Sequence, residues 1–218
     1  MEDFCALLGL RPAQKYDTTW ERIAKAVRDH VEGSRQYETF QTMAILLLLT
    51  YALRNAACHS KNLALLYTSP EDAHLSPAYD FLTTSVYAGY QNNPPGISFA
   101  GKKTWRPGKN LSKFIATSFG IAPKEQKGIV DRISDAVSDT APRVREMMKR
   151  FPGFKDTGKR MLATWDEEIK ALRHSRTYDL DAWNPGEAFE GISDPPKLAS
   201  EVTIIGKSAL LSNRSRHK

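Results

Sequence analysis

The sequence predicts a mainly α-helical fold carrying one short β-hairpin, and three observations lead there. Apolar residues recur at helical spacing in stretch after stretch, from Trp20 onward. A compact apolar run, Leu63 to Tyr67, stands just before the turn signal Ser69-Pro70-Glu71-Asp72. The 218 residues, 41% of them hydrophobic, are enough to build a substantial core.

Taken in order, Asp17 or Thr18 can cap a helix with Trp20, Ile23, Ala24 and Val27 on one side, and Gly33 and Ser34 are expected to end it. The next helix, about Arg35 to Arg54, places Phe40, Met43, Ala44, Leu47, Leu48 and Tyr51 on one face and is the expected core helix. Leu63 to Tyr67 then reads as a buried strand whose hairpin brings Asp80 back beside Asn62. From Gln91 to Lys109, Asn, Gly and Pro surround a small apolar patch at Ile97 and Phe99, which predicts an irregular or strand-containing connection. Leu111, Phe114, Ile115 and Ser118 form a helical face closed by Gly120. Pro123 suits the first turn of a helix carrying Ile129, Ile133 and Val137. Two further helices are expected at Pro142 to Arg150 and Thr157 to Arg173. Past Arg176 the chain turns loop-like, with a strand expected at Val202 to Ile205. This divides the chain into a helical unit, residues 1–175, and an irregular extension with a basic tail, residues 176–218.

Composition excludes several classes. The longest apolar run, Met43 to Leu49, is broken at Thr50 and falls short of the roughly 18 residues that cross a bilayer. Glu2 and Asp3 stand where a signal peptide carries positive charge, so a cytoplasmic protein with no membrane partner is expected. Cys5 and Cys58 are the only thiols, and no Cys or His spacing fits a structural zinc site. The formal charge of +6 is concentrated near the C-terminus, at Arg214, Arg216 and Lys218. A solvated basic surface accounts for it, and without a DNA-reading motif direct nucleic-acid binding is not expected. Gly206-Lys207-Ser208 lacks the upstream Gly of a phosphate loop, since Glu201 stands there, and reads as a surface turn.

The chemistry is concentrated in Asn55 to Asn62, NAACHSKN, and Leu75 to Leu82, LSPAYDFL. The Asp80 carboxylate and the Asn62 side-chain oxygen are hard ligands suited to Mg²⁺, which keeps waters and uses few protein groups alongside substrate phosphates. Lys61 and His59 can donate to phosphate oxygens as a phosphoryl group moves. Tyr79 can pack near a base. Each residue taken singly also has an ordinary reading: a turn Asn, a surface Lys, a packed loop His, and Asp80 as a helix N-cap for Phe81 and Leu82.

Taken together, these segments resemble the HipA family, the serine/threonine kinase toxins of bacterial toxin and antitoxin modules. The resemblance rests on HxKN at His59 to Asn62, the LALLY run after it, SPAYDFLTT from Ser76, the segment Ile97 to Lys103 and EDFCALLGLRPAQKY from Glu2 to Tyr16. It extends from about residue 2 to 172. It implies a protein-kinase-like C-lobe of the HipA C-terminal type, with the hairpin carrying the metal-binding segment. It implies further that Asn62 and Asp80 hold Mg²⁺ in an ATP site and that His59 and Tyr79 lie close to the nucleotide, whose phosphates Lys61 is expected to bind by its own chemistry. Substrates of the aminoacyl-tRNA synthetase type are the family expectation.

The same resemblance exposes two departures. The family pattern has an Asp two positions before the His, where it accepts the proton of the substrate hydroxyl, and here that position is Ala57. Losing a general base commonly costs about 10²- to 10⁴-fold in rate, so a transferase of this pattern is expected to be inactive, a pseudokinase. Family members also carry an N-terminal lobe with a phosphate-covering loop, and no Gly-rich loop precedes Asn55. The expected partners are therefore a separate N-lobe or an antitoxin-type DNA-binding protein, and a non-enzymatic interaction module is the alternative function.

Overall fold

The computed structural model describes residues 1–105, 108–183 and 185–192. It is mainly helical, with six α-helices and a small sheet among those residues. The expected strand at Val202 to Ile205, the Gly206-Lys207-Ser208 turn and the basic tail lie outside the described residues.

Strand β1 (Glu2–Asp3) runs into the single turn α1 (Phe4–Leu7), which Asp3 caps by accepting from Ala6 N at 2.9 Å. Helix α2 (Trp20–His30) is capped by Thr19, whose hydroxyl accepts from Arg22 N at 3.2 Å, so the cap lies one or two residues beyond the expected Asp17 or Thr18. Gly33 and Ser34 do not end α2 but open α3 (Gly33–Ala52). The break falls at Val31, which is extended and buried, and the Gln36 amide reaches back to Val31 O at 2.9 Å and Arg28 O at 3.2 Å. A side chain thus satisfies the carbonyls that a C-terminal glycine would otherwise serve.

Helix α3 is buried on most of its circumference, from Phe40 through Leu46, Leu47 and Leu48 to Tyr51, as a core helix packed on several sides should be. Rings of Trp20, Phe40, Phe99, Phe114 and Phe119 interlock beside it at centroid separations of 5.2 to 6.3 Å, within the range of favourable aromatic pairs. They tie α2 and α3 to the irregular connection and to α4 (Lys109–Phe114). A wider π-type turn, Ile115–Phe119, continues from α4 and closes at Gly120, whose φ of +74° suits a residue without Cβ.

The two helices expected either side of Pro142 are one, α5 (Pro123–Arg150), with Pro142 inside it. Pro142 faces solvent, while Val137, Ala141 and Val144 are buried around it, so the apolar stripe continues through the proline. Helix α6 (Lys155–Arg173) packs along α5 and against α3.

The sheet has strand order β1-β2-β3, all antiparallel. Strand β2 (Ala64–Leu66) pairs Leu65 with Leu75 of β3 (His74–Leu75) and with Glu2 of β1. Ser69 and Pro70–Asp72 form the turn between β2 and β3, Thr68 N and Ser69 N both donating to Asp72 Oδ1 at 2.8 and 3.0 Å. Beyond α6, Tyr178, Phe189 and Ile192 join the same core.

Candidate functional site

The chain leaves α3 through Arg54, whose φ of +53° turns it sharply into the Asn55 to Asn62 loop. Arg54 ion-pairs with Glu168 of α6, itself buried. Burial raises the Glu168 carboxyl above its ordinary range even though the guanidinium opposes the rise. The loop is then pinned from every side. Asn55 is 1% exposed, and its Oδ1 accepts from Ala57 N at 3.1 Å. Thr84 Oγ1 accepts from Ala56 N at 2.8 Å and donates to Arg54 O at 2.7 Å. Ser60 N and Oγ both donate to Lys15 O, at 3.1 and 2.8 Å. Gly96 lies so close beneath that a Cβ there would sit 2.2 Å from Cys58 O and 2.8 Å from Ala56 O, well inside any real contact. This backbone is rigid, which is what a loop presenting several side chains to one ligand requires.

At the end of the loop Asn62 Nδ2 donates to Asp80 Oδ2 at 2.8 Å and to Ala57 O at 3.1 Å. The amide is nearly buried, and the carboxylate opposite is exposed. With Nδ2 engaged, Asn62 Oδ1 and Asp80 Oδ1 remain as neighbouring oxygen donors of the kind Mg²⁺ prefers. Asp80 has a φ of +57°, which fits an Asp in a turn but not the N-cap of a helix over Phe81 and Leu82, and no helix forms there. Among the described residues no cluster of three or more His, Cys, Asp and Glu side chains is arranged to hold a metal, so water and ligand oxygens would have to complete any shell built on this pair.

Tyr79 donates its hydroxyl to Lys61 O at 2.7 Å, fastening the segment after β3 to the loop. Lys61 does not reach toward Asp80, because its ammonium lies 2.9 Å from Asp3 Oδ2, joining the loop to β1. His59 is 6% exposed, its ring edge-on to Tyr16 at 4.9 Å, and its Nδ1 is buried without a partner. Burial lowers its pKa, and Lys15 and Lys61 add to the effect against the opposing carboxylate of Asp80. His59 is therefore neutral at pH 7. Cys58, next to Ala57, is buried in the core and has its thiol pushed up to about 11 by burial, so it stays protonated at neutral pH.

The structure thus gathers Ala57, His59, Asn62, Tyr79 and Asp80 and turns Lys61 away. It also shows residues the motif reading passed over: Lys15 and Tyr16 from the segment before α2, Asn55, Thr84 and Gly96. The Pro94-Pro95-Gly96 turn was the available signal for the last of these. Nothing local marks Lys15, whose backbone carbonyl holds Ser60 and whose ammonium lies over the Tyr16 ring. An open cavity of about 190 Å³ lies over Ala57, lined by Tyr16, Ala56, Leu82, Thr84, Tyr87, Tyr90 and Asn93.

A family model described as the HipA-like C-terminal domain matches residues 1–141. Among solved structures, a chain of the Shewanella oneidensis MR-1 toxin–antitoxin complex of HipA, HipB and operator DNA superposes with a TM-score of 0.54 at 16% identity. The match covers 83% of this chain and 46% of that one, so this chain spans about half the length of that relative, and at such low identity the likeness is one of fold. No curated protein matches the chain. No helix among the described residues is long and apolar enough to cross a membrane.

Proposed function

This chain belongs to the HipA-like C-terminal domain family, and on that premise we propose that it is the helical lobe of a HipA-type serine/threonine kinase. In this reading the lobe binds Mg²⁺ and ATP phosphates but does not by itself transfer a phosphoryl group. The observation that carries it is the Asn62–Asp80 contact of 2.8 Å, which sets two hard oxygen donors side by side at the edge of a rigid loop. Asn62 and Asp80 would hold the ion, and the ion when bound would neutralise phosphate charge. His59, neutral and fixed by Tyr16, donates or accepts through its ring without adding charge. Tyr79 holds the Asp80 segment in register with the loop and flanks the nucleotide. Lys61, bound to Asp3, has to exchange that partner before it can reach a phosphate.

Ala57 is why transfer is not expected, since a methyl group cannot take the proton of a substrate hydroxyl. An N-lobe would complete the ATP site, and these residues match 46% of the solved relative. The alternative is a purely non-enzymatic role, docking a separate lobe or an antitoxin-type DNA-binding protein, the company HipA keeps in that complex.

Thermal unfolding in the presence of Mg²⁺ and ATP tests the reading. A site with a dissociation constant near 10 µM gains about 2.7 kcal/mol at about 1 mM ligand by mass action. The gain should vanish in Asp80→Ala and in Mg²⁺-free buffer. An unfolding midpoint unmoved by millimolar Mg²⁺–ATP leaves the lobe with no nucleotide role and favours the docking alternative.

A further inference from the structure

We infer that the cavity over Ala57 is an anchor pocket for an acidic peptide segment of a protein partner, with one aromatic or branched aliphatic side chain seated against the Ala57 methyl. The inference rests on the cavity and not on nucleotide binding. Tyr16, Tyr87 and Tyr90 are 38%, 48% and 49% exposed, and all three line this one opening. Exposed tyrosines gathered around a single recess are the usual make-up of a protein-binding hot spot, where rigid amphipathic rings bury area at small entropic cost. The floor is apolar, made by Ala56, Ala57 and Leu82, while Thr84 turns its hydroxyl to Arg54 O. A cavity of about 150 Å³ is enough to take benzene, so the roughly 190 Å³ here holds one large side chain.

The charge around the rim selects the flanking residues. Lys15 Nζ lies 5.3 Å and Lys103 Nζ 6.0 Å from the centre of the Tyr16 ring. Lys103 is fixed there by Gly96 O at 2.8 Å and Tyr16 O at 3.2 Å. His59, behind Tyr16, is neutral. Burial raises the Tyr16 phenol, with Tyr90 and then Asp80 adding to the rise, and the Asp80 carboxylate is already held by Asn62. The two ammonium groups beside the Tyr16 ring favour an acidic segment over a basic one.

Ala57 is then more than a lost base. A carboxylate at this position would stand in the floor of the pocket, unfavourable to an apolar anchor and repelling an acidic chain. The same residue that removes transfer chemistry makes the recess fit for binding.

The test is NMR of protein labelled at its alanine methyl groups, titrated with three capped pentapeptides: Glu-Glu-Phe-Glu-Glu, the same with Ala for Phe, and Lys-Lys-Phe-Lys-Lys. For a single anchor a dissociation constant of about 0.1–1 mM is expected. The Ala56 and Ala57 methyl signals should move with the acidic Phe peptide, much less with the basic one, and not with the Ala version. Ala57→Asp and, separately, Tyr90→Ala should weaken binding at least about tenfold. A folded Tyr90→Ala keeps the test decisive if Ala57→Asp fails to fold. Unmoved methyl signals at millimolar acidic peptide, equal response to the basic one, or undiminished binding by the variants would each overturn the inference. So would methyl shifts that track protein concentration alone, which would assign the recess to a second copy of the chain. None of these outcomes depends on Mg²⁺ or ATP, so this inference and the nucleotide reading fail separately.

Discussion

At the scale of single residues, Arg54 Nε, Asn55 Nδ2 and His59 Nδ1 are buried without a partner in a site whose other polar ends are mostly engaged, and His59 among them titrates. It is 6% exposed, with Nδ1 buried and unpartnered, and its pKa is lowered from 6.5 chiefly by burial, then by Lys15. A group with a depressed folded-state pKa binds fewer protons when folded than when unfolded. Stability from keeping His59 neutral is therefore whole above the unfolded pKa and declines as pH falls below about 6.5. His59→Phe keeps a ring against Tyr16 and removes the titration. The unfolding midpoint of the parent should fall more steeply than that of His59→Phe on acidification from neutral pH toward the carboxylate range. Parallel profiles would mean that the protonated imidazole finds a partner. Asn62, Asp80 and Ala57 were legible in the sequence because motif spacing fixes their proximity. The fate of Lys61 was not, because its partner Asp3 lies in a strand too short to show any alternation.

At the scale of elements, long apolar repeats were readable and boundaries were not. Helix α3 was visible from its periodicity, but Gly33 and Ser34 look like a stop and act as a start, because Gln36 supplies the cap from inside the next helix. Strand β2 was legible and β1 was not, since only pairing with Ala64 and Leu65 makes Glu2–Asp3 a strand. Pro142 misled for a definite reason. A proline inside a helix costs about 3 kcal/mol by removing a hydrogen bond and crowding the preceding turn. Here the bond lost is the one to Ser138 O, and the buried Val137, Ala141 and Val144 keep α5 continuous across it. Packing has overridden local preference. Pro142→Ala should restore the bond without touching the core, raising stability by about 1–3 kcal/mol in chemical denaturation with the slope unchanged. A loss of stability instead would show that the proline sets a bend in α5 on which the packing of α6 depends.

At the scale of the whole molecule, the question is where the folded unit ends. The sequence turns loop-like past Arg176, which placed the boundary at 175, yet the chain beyond that point is docked on the helices. Tyr178 is 1% exposed, and its hydroxyl donates to Gln126 Oε1 at 2.9 Å. The Gln126 amide in turn donates to Ile121 O at 2.8 Å and Ser112 O at 3.1 Å, so this one tyrosine closes a buried network joining α4, the Ile121 connection and α5. Arg173 donates to Asp181 O through Nε at 3.2 Å and Nη2 at 3.1 Å, and Trp183 meets Phe189 edge-on at 5.2 Å. No periodicity announces such a segment, because its contacts are made one residue at a time onto a surface that α5 and α6 have already formed. A chain of residues 1–175 leaves bare the apolar surface that Tyr178, Phe189 and Ile192 meet, and should unfold at a lower temperature than one of residues 1–192. Tyr178→Phe in the longer chain, leaving Gln126 Oε1 buried without its donor, should account for about 1–3 kcal/mol on its own. Equal midpoints for the two chains would put the end of the folding unit at 175, and the residues after it would be a passenger on the lobe.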